Sequence, residues 1–223
     1  MASKYIALSF DDGTPNDERL VPLLNKYGIK ATFHLNAGLI PMDDEVSEWN
    51  RLPLSRLEHL YVGHEVAAHS YSHPDLRDLI EEEILDELIM DFKILDVCFK
   101  QKTLGFAYPF GTFDERVIQQ LHLSPALYAR TIRDTHQFNK PQDLYLLDPT
   151  CHMSTPDLFE LTQKFIDEKS NEPLFFLIWG HSYELNTVQD WERFESFLKI
   201  ISEEESIVSG SILECLRLMN LCS

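Results

Sequence analysis

The sequence has few cysteines and few basic residues. Its four cysteines include no Cys-x-x-Cys pair, which argues against a zinc knuckle or a thioredoxin-type redox motif. Only 19 Lys and Arg residues accompany 37 Asp and Glu residues, so the formal net charge is -18. Because nucleic acids and anionic membranes bind basic surfaces, this charge argues against both as partners and favours a neutral or cationic ligand.

Long hydrophobic runs are also missing. No run reaches ~18 apolar residues, so the sequence predicts no membrane span. The N-terminus leads directly into a strand-like segment, without the apolar core of a secretory signal. We therefore expect a cytoplasmic protein, or a secreted or cell-surface one if a leader has been removed.

Strand-like and helix-like segments alternate along the 223 residues, without a linker or repeat. "YIALSF" predicts a buried strand, "DERLVPLLNKYG" a helix and "KATFHLN" a second strand parallel to the first. A long helix is expected from Asp75 to about Lys100, and later strands at "LYLLD" and "PLFFLIWGH". The pattern predicts a single α/β domain over residues 1–223, with a mostly parallel sheet of about seven strands, close to a barrel count.

Ionisable side chains follow several of the predicted strands. Asp11 and Asp12 close the first strand, His69 and His73 follow "EVAA", and His181 follows "FFLIWG". In parallel α/β folds, ligands bind at the carboxyl ends of the strands. These side chains are therefore candidates for one site at that edge of the sheet.

The spacing of these residues suits a metal ion. Two imidazoles four residues apart in "HSYSHP" can converge on one ion, and one of the adjacent aspartates supplies a carboxylate. Two histidines and a carboxylate form an open ligand set for catalytic zinc, and also the facial triad of non-haem iron. A cation would cancel the repulsion between Asp11 and Asp12. The aspartate that does not bind it is then free to assist deprotonation of a metal-bound water.

Four segments together resemble the polysaccharide deacetylases, carbohydrate esterase family 4, which share the NodB homology domain. They are "SFDDGTP", "HEVAAHSYSHPDL", "FAYPFGTFDERV" and "FLIWGHSYEL", and they occur in the family's order over roughly residues 4 to 200. The resemblance implies a distorted (β/α) barrel of about seven strands. It also implies a hydrolase that removes an N- or O-acetyl group from a sugar or polysaccharide and releases acetate.

The resemblance also implies a role for each matching residue. Asp11 corresponds to the catalytic base and His181 to the general acid, while the backbone N–H of Phe110 would bind the oxyanion. The implied metal ligands are Asp12, His69 and His73. The implied cofactor is a divalent ion, zinc first, with cobalt, nickel, iron and manganese as alternatives, and the implied partner is an acetylated carbohydrate.

The sequence departs from the family pattern at three places. Ala107 stands where many members carry an arginine that orients the base, so Arg130 or Arg133 is a candidate replacement. The family's Asp-x-x-Asp-Trp motif, which polarises the acid histidine, is not visible between residues 120 and 160, where Asp134 and Asp148 are candidates. Trp179 stands where the family carries a leucine shortly before the late histidine, here His181. These changes bear on substrate choice more than on metal binding.

Other functions remain open at this point. The same site could hydrolyse a small non-sugar amide, or it could bind carbohydrate with reduced or lost turnover. A non-haem iron oxygenase would use the same ligand set, but nothing in the sequence indicates a co-substrate site. The oligomeric state is also left open.

Overall fold

The computed structural model describes residues 3–42, 46–47 and 50–222. Trp49, which as an aromatic residue between the second predicted strand and the next helix could stack on a sugar ring, lies outside these residues. The strands are β1 (Lys4–Asp11), β2 (Thr32–Leu35), β3 (Glu65–Ala68), β4 (Gly105–Ala107), β5 (Tyr128–Arg130), β6 (Cys151–His152), β7 (Leu174–Gly180) and β8 (Ile207–Gly210). The helices are α1 (Asp17–Lys26), α2 (Leu54–Leu60), α3 (Glu81–Phe99), α4 (Glu115–His122), α5 (Leu158–Asp167), α6 (Val188–Glu203) and α7 (Ile212–Leu218).

The strands form one curled parallel sheet. Seven of them lie in the order β5-β4-β3-β2-β1-β7-β6, and β8 pairs with β1 beside them. The segment before β6 contacts the opposite edge, because Leu147 bridges to Arg130 of β5 while β6 itself pairs with β7. The sheet therefore curls into a distorted barrel, which confirms the predicted fold class.

Side chains of β1 alternate between the two faces of this curled sheet. Ile6, Leu8 and Phe10 pack in the larger apolar cluster with the residues of the surrounding helices. Tyr5 and Ala7 pack in a second cluster with residues of β7 and α7. Because the side-chain direction repeats every two residues, Asp11 points to the same face as Tyr5 and Ala7, into the barrel.

Two details of the predicted elements are wrong. The segment "LYLLD" is not a strand, since Leu144–Leu146 form a 3-10 turn. Helix α3 begins at Glu81 rather than near Asp75, because the backbone is extended at Leu79 and Ile80. A short 3-10 turn at Leu76–Asp78 precedes it. Three glutamates then occupy the first turn of α3, where the helix dipole favours negative charge.

Among the described residues, none of the helices has the length and apolarity needed to cross a membrane.

Candidate active site

A cavity of about 570 Å³ opens at the carboxyl ends of the strands. The residues that the sequence singled out lie on its wall: Asp11, Asp12, His69, His73, Phe110 and His181. They come from the carboxyl ends of β1, β3, β4 and β7 and from the loops that follow, which are distant in the sequence and lie at the same edge of the sheet. The structure thus brings all six together, while their individual roles stay predictions.

Asp11 is held by a buried arginine. Arg130 Nη2 donates to both carboxylate oxygens of Asp11 at 2.5 Å, and neither side chain is more than 4% exposed. Arg130 pairs in register with Ala107 on the neighbouring strand, so the two side chains point to the same face of the sheet. Arg130 therefore reaches Asp11 from one strand beyond the position where the family carries its arginine.

The surroundings of Asp11 keep it ionised. Burial alone would raise the pKa of Asp11, but the charge of Arg130 and the hydrogen bond from His34 hold it well below its usual value. His34 Nδ1 lies 3.4 Å from Asp11 Oδ1 and 3.3 Å from the hydroxyl of Ser9. His34 was not singled out from the sequence, although a histidine on the inward face of a predicted strand could have indicated it.

The candidate metal ligands converge within one small volume. Asp12, His69 and His73 each offer a ligand atom within 4.8 Å of the others. His69 Nδ1 donates to the carbonyl of Ala107 at 2.7 Å, which leaves Nε2 without a proton in the neutral ring. That Nε2 lies 3.2 Å from Nε2 of His73. Neutral imidazole nitrogens beside a carboxylate are the donors that zinc prefers.

The electrostatics of this trio also fit a divalent cation. Burial lowers the pKa of both His69 and His73, so both rings are neutral and available as ligands. Burial and the neighbouring Asp11 raise the pKa of Asp12, although Arg51, which lies in the chain just before α2, opposes this by donating to Oδ1 at 2.6 Å. A cation among these groups would favour the carboxylate form of Asp12. The residues present therefore fit the metal that the family resemblance implies.

The backbone at this site adopts an unusual conformation. Asp12, Ser70, His73 and Phe110 all have positive φ, at 87°, 64°, 58° and 56°. Each such non-glycine residue costs on the order of 1–3 kcal/mol and persists only where its surroundings enforce it. Asn36 contributes to this by donating to the carbonyls of His69 and Ser70 at 2.6 and 3.0 Å. Strain of this kind often marks a functional site.

His181 faces the two aspartates across the cavity. Its Nε2 lies 3.8 Å from Asp11 Oδ2 and 3.9 Å from Asp12 Oδ2, and its Nδ1 lies 3.3 Å from Glu184 Oε1. Burial would lower the pKa of His181, but Glu184 and the two aspartates outweigh it and raise the pKa. A protonated imidazole is therefore favoured here, as a general acid requires.

Phe110 lies in the 3-10 turn Pro109–Gly111 after β4. Its ring packs edge-on against His73 at 4.5 Å, and its side chain is largely exposed at the mouth of the cavity. Within the part of the chain that the structure describes, its backbone N–H has no hydrogen-bond acceptor. This N–H is thus available to a ligand, as the predicted oxyanion role needs.

The other candidates from the sequence do not contact His181, and Arg133 does not contact Asp11. Arg133 is mostly exposed and pairs with Asp148 at 3.0 Å, so Arg130 alone of the two arginines contacts Asp11. Asp134 accepts from the indole N–H of Trp179 at 2.8 Å. Neither aspartate pairs with His181 among the described residues, so neither replaces the missing motif.

Known proteins resemble about half of this chain in sequence. The family model described as polysaccharide deacetylase matches residues 1–126. Chitin deacetylase 1 of Cryptococcus neoformans is 31% identical over 125 residues, which cover 54% of this chain and 25% of that protein. The chain matches only about a quarter to two fifths of the length of such curated relatives, 25% and 41% for two of them.

Solved structures resemble the fold over nearly the whole chain. An acetyl xylan esterase of family 4 from Clostridium thermocellum, in complex with a cobalt ion, has a TM-score of 0.64 at 14% identity, covering 98% of this chain and 93% of that one. A family 4 pseudoenzyme from Bacillus anthracis has a TM-score of 0.63 at 20% identity, covering 96% and 66%. At these identities the likeness concerns the fold alone, and it includes both an esterase and a pseudoenzyme.

Proposed function

The chain belongs to the polysaccharide deacetylase family, and we propose that it is a metal-dependent deacetylase that hydrolyses an N- or O-acetyl group on a sugar or polysaccharide. One observation carries this proposal. A low-pKa carboxylate, a histidine with a raised pKa and a carboxylate with two neutral imidazoles share one cavity. Hydrolysis of an acetyl group needs a base, an acid and a Lewis acid site, and this cavity offers residues suited to each.

Asp12, His69 and His73 would hold the divalent ion, for which zinc is the first candidate. When bound, such an ion polarises the acetyl carbonyl and makes a water molecule acidic enough to react near neutral pH. This matters for Asp11, because a carboxylate with a lowered pKa is a weak base and needs an acidic water.

The chain's own residues supply the proton transfers. Asp11, fixed by Arg130, accepts a proton from the attacking water. The backbone N–H of Phe110 donates to the oxygen of the acetyl group as negative charge develops there. His181 donates its Nε2 proton to the departing amine or alcohol of the sugar, which then leaves in neutral form.

The walls of the cavity favour an uncharged sugar. Leu39, Phe110, Ile132, Trp179 and Tyr183 contribute apolar or aromatic surface around the acidic centre. The net charge of -18 would repel a polyanionic polymer. We therefore expect a neutral acetylated glycan rather than an acidic one.

The test is acetate release by purified, zinc-reconstituted protein. Substrates are oligomers of N-acetylglucosamine, an acetylated xylan and a panel of small linear and cyclic amides, with a chelator-treated sample beside each. We expect acetate from an acetylated sugar, loss of activity with the chelator and no requirement for dioxygen. His59→Gln serves as a control that should release acetate like the parent, because His59 is a mostly exposed residue of α2 outside the cavity.

Other outcomes would contradict the proposal in distinct ways. Hydrolysis of small amides alone would indicate an amidohydrolase with a different substrate. Zinc-dependent binding of the sugars without acetate release would indicate a carbohydrate-binding protein related to the family's pseudoenzymes.

A further inference from the structure

Glu184 supports the candidate acid histidine from behind. One carboxylate oxygen, Oε1, lies 3.3 Å from His181 Nδ1, and the other, Oε2, accepts the backbone N–H of His181 at 3.2 Å. The carboxylate thus grips both the ring and the main chain of the same residue. Because Glu184 is anchored to the main chain of His181, its contact with Nδ1 limits how far the ring can turn its Nε2 away from the cavity.

A second histidine holds Glu184 from the other side. His152 Nε2 lies 3.0 Å from Glu184 Oε2. The backbone N–H of Ser154 donates to His152 Nδ1 at 3.3 Å, and the hydroxyl of Ser154 lies 2.7 Å from the same atom. Because Nδ1 accepts, the ring proton of neutral His152 sits on Nε2 and points at the carboxylate.

The position of His152 is itself fixed by the sheet. His152 is paired in register with Trp179 of β7, and their rings pack edge-on with centroids 4.6 Å apart. Asp134 accepts both the indole N–H of Trp179 at 2.8 Å and the backbone N–H of His152 at 3.0 Å. Asp134 therefore holds Trp179 and His152 in place and does not contact His181 itself.

The charge state of Glu184 decides which proton His181 carries. Burial raises the pKa of Glu184, but its contacts with His152 and His181 lower it to about 2, so it is a carboxylate near neutral pH. A carboxylate only accepts hydrogen bonds, so His181 Nδ1 must be the donor. Nε2, the atom that faces Asp11 and Asp12, is then the one left to exchange a proton.

We propose that Glu184 and His152 are positioning residues that fix the orientation and the Nδ1–H tautomer of His181. They would take over the role of the family's Asp-x-x-Asp-Trp motif, which is missing here. Both residues lie outside residues 1–126, the range that the family model matches. The catalytic consequence rests on the proposed deacetylase function. The arrangement of His181, Glu184 and His152 is independent of that function.

The first test is kinetic. Glu184→Gln keeps the shape and removes the charge, His152→Phe keeps the ring and removes the donor, and His152→Gln keeps a side-chain N–H. We expect the first two to lower kcat on an N-acetyl sugar by about 10- to 100-fold with KM and zinc content little changed, the effect of removing a partner that orients a functional histidine. An aryl acetate, whose leaving group departs without a proton, should be affected less, and His152→Gln should recover part of the rate.

Glu160→Gln and His59→Phe are matched surface controls, since both residues are exposed. A parallel loss of rate on both substrates, or a loss of zinc in the two support variants, would mean that these residues only maintain the fold. In that case the inference is overturned.

The second test does not need activity. Nitrogen-15 correlation spectra of the imidazoles in zinc-loaded protein should show neutral His181 with its proton on Nδ1. Glu184→Ala should produce a mixture of tautomers, and His152→Phe a smaller change in the same direction. An Nε2–H tautomer in the parent, or an unchanged spectrum in Glu184→Ala, would overturn the inference.

A zinc titration separates one further possibility. His152, His181 and Glu184 lie close enough together to hold an ion themselves. We expect one bound equivalent of zinc, retained in His152→Phe. A second equivalent that His152→Phe removes would overturn the positioning role in favour of a second metal site. If the parent shows the Nδ1–H tautomer yet releases no acetate, the proposed function fails and the inference about His181 stands.

Discussion

The ion pair between Arg130 and Asp11 offers a sharp test of how this chain replaces the family's missing arginine. The change is Arg130→Met, which keeps an unbranched apolar side chain beside Trp179 and removes the guanidinium. Arg130 is fully buried and contacts both oxygens of Asp11. The variant therefore leaves a carboxylate in the barrel without its main counter-charge.

The expected cost is large for a chain of this size. Removing one partner of a buried ion pair costs about 3–5 kcal/mol, because the remaining charge is neither hydrated nor paired. The free energy of unfolding of such proteins is only about 5–15 kcal/mol. Arg133→Met is the matched control, since the Arg133 side chain is 58% exposed and its pair with Asp148 should contribute less than about 1 kcal/mol.

The dependence on pH has a definite sign. In the parent, the depressed pKa of Asp11 contributes stability that is present above the ordinary value of 3.8 and is lost as the pH falls. In Arg130→Met, burial without the guanidinium raises the pKa of Asp11, so the variant loses stability as the pH rises above that value. The difference in the free energy of unfolding between parent and variant should therefore be largest at neutral pH and become smaller towards about pH 4.

Urea unfolding followed by circular dichroism measures these quantities. Asp11→Asn and the double variant Asp11→Asn/Arg130→Met complete a double-mutant cycle. The double variant should be more stable than the sum of the two single effects predicts, by about 1–3 kcal/mol. The double variant also keeps the test usable if Arg130→Met alone does not fold. Equal costs for Arg130→Met and Arg133→Met, or additive effects in the cycle, would refute the assignment of Arg130 as the main partner of Asp11.

Three further predictions concern the metal, the pH dependence of stability and the general acid. Asp12→Ala and His69→Ala should lose the bound divalent ion with unchanged circular dichroism, whereas Asp11→Asn should keep it and lose about 10²–10⁴-fold in activity; elemental analysis that finds full metal in both alanine variants would contradict the ligand assignment. Burial raises the pKa of Asp17 from 3.8 to about 7, so in metal-free protein this residue costs stability increasingly as the pH rises between those values. Asp17→Asn should therefore stabilise by up to about 4 kcal/mol near pH 8 and little near pH 4, and urea midpoints that differ equally at both would refute the reasoning. The neighbouring carboxylates overcome the effect of burial and raise the pKa of His181. His181→Ala should therefore abolish the alkaline limb of the pH profile of kcat/KM and slow the hydrolysis of an N-acetyl sugar more than that of an aryl acetate. Equal slowing of both reactions would indicate that His181 binds substrate instead.

Much of the fold and the centre of the site could be read from the sequence. The regular alternation of strands and helices predicted the parallel α/β sheet, and the polar residues after apolar runs predicted the edge of the sheet at which the cavity lies. Asp11, His69 and His181 were found in this way because the carboxyl ends of parallel strands meet at one edge. Local spacing was sufficient, since each of these residues directly follows a recognisable strand.

The supports of the site were harder to predict. Glu184 lies three residues after His181 and contacts it because a 3-10 turn brings the two together, whereas an extended chain would separate them. His152 belongs to a strand of two residues, too short to be recognised from its sequence. A strand was predicted at "LYLLD", where a 3-10 turn forms, whereas the strand that carries His152 begins a few residues later at Cys151.

By itself, the sequence determined the parallel α/β architecture and the set of residues at the strand ends, because alternation and strand–helix order are local properties of the chain. Only the tertiary structure decided that Arg130 rather than Arg133 meets Asp11, and that Glu184 and His152 stand behind His181. Those contacts depend on how far the sheet curls and on which strands become neighbours. Arg130 reaches Asp11 because β5 returns towards β1 across the barrel, and this closure comes from pairing between residues far apart in the sequence.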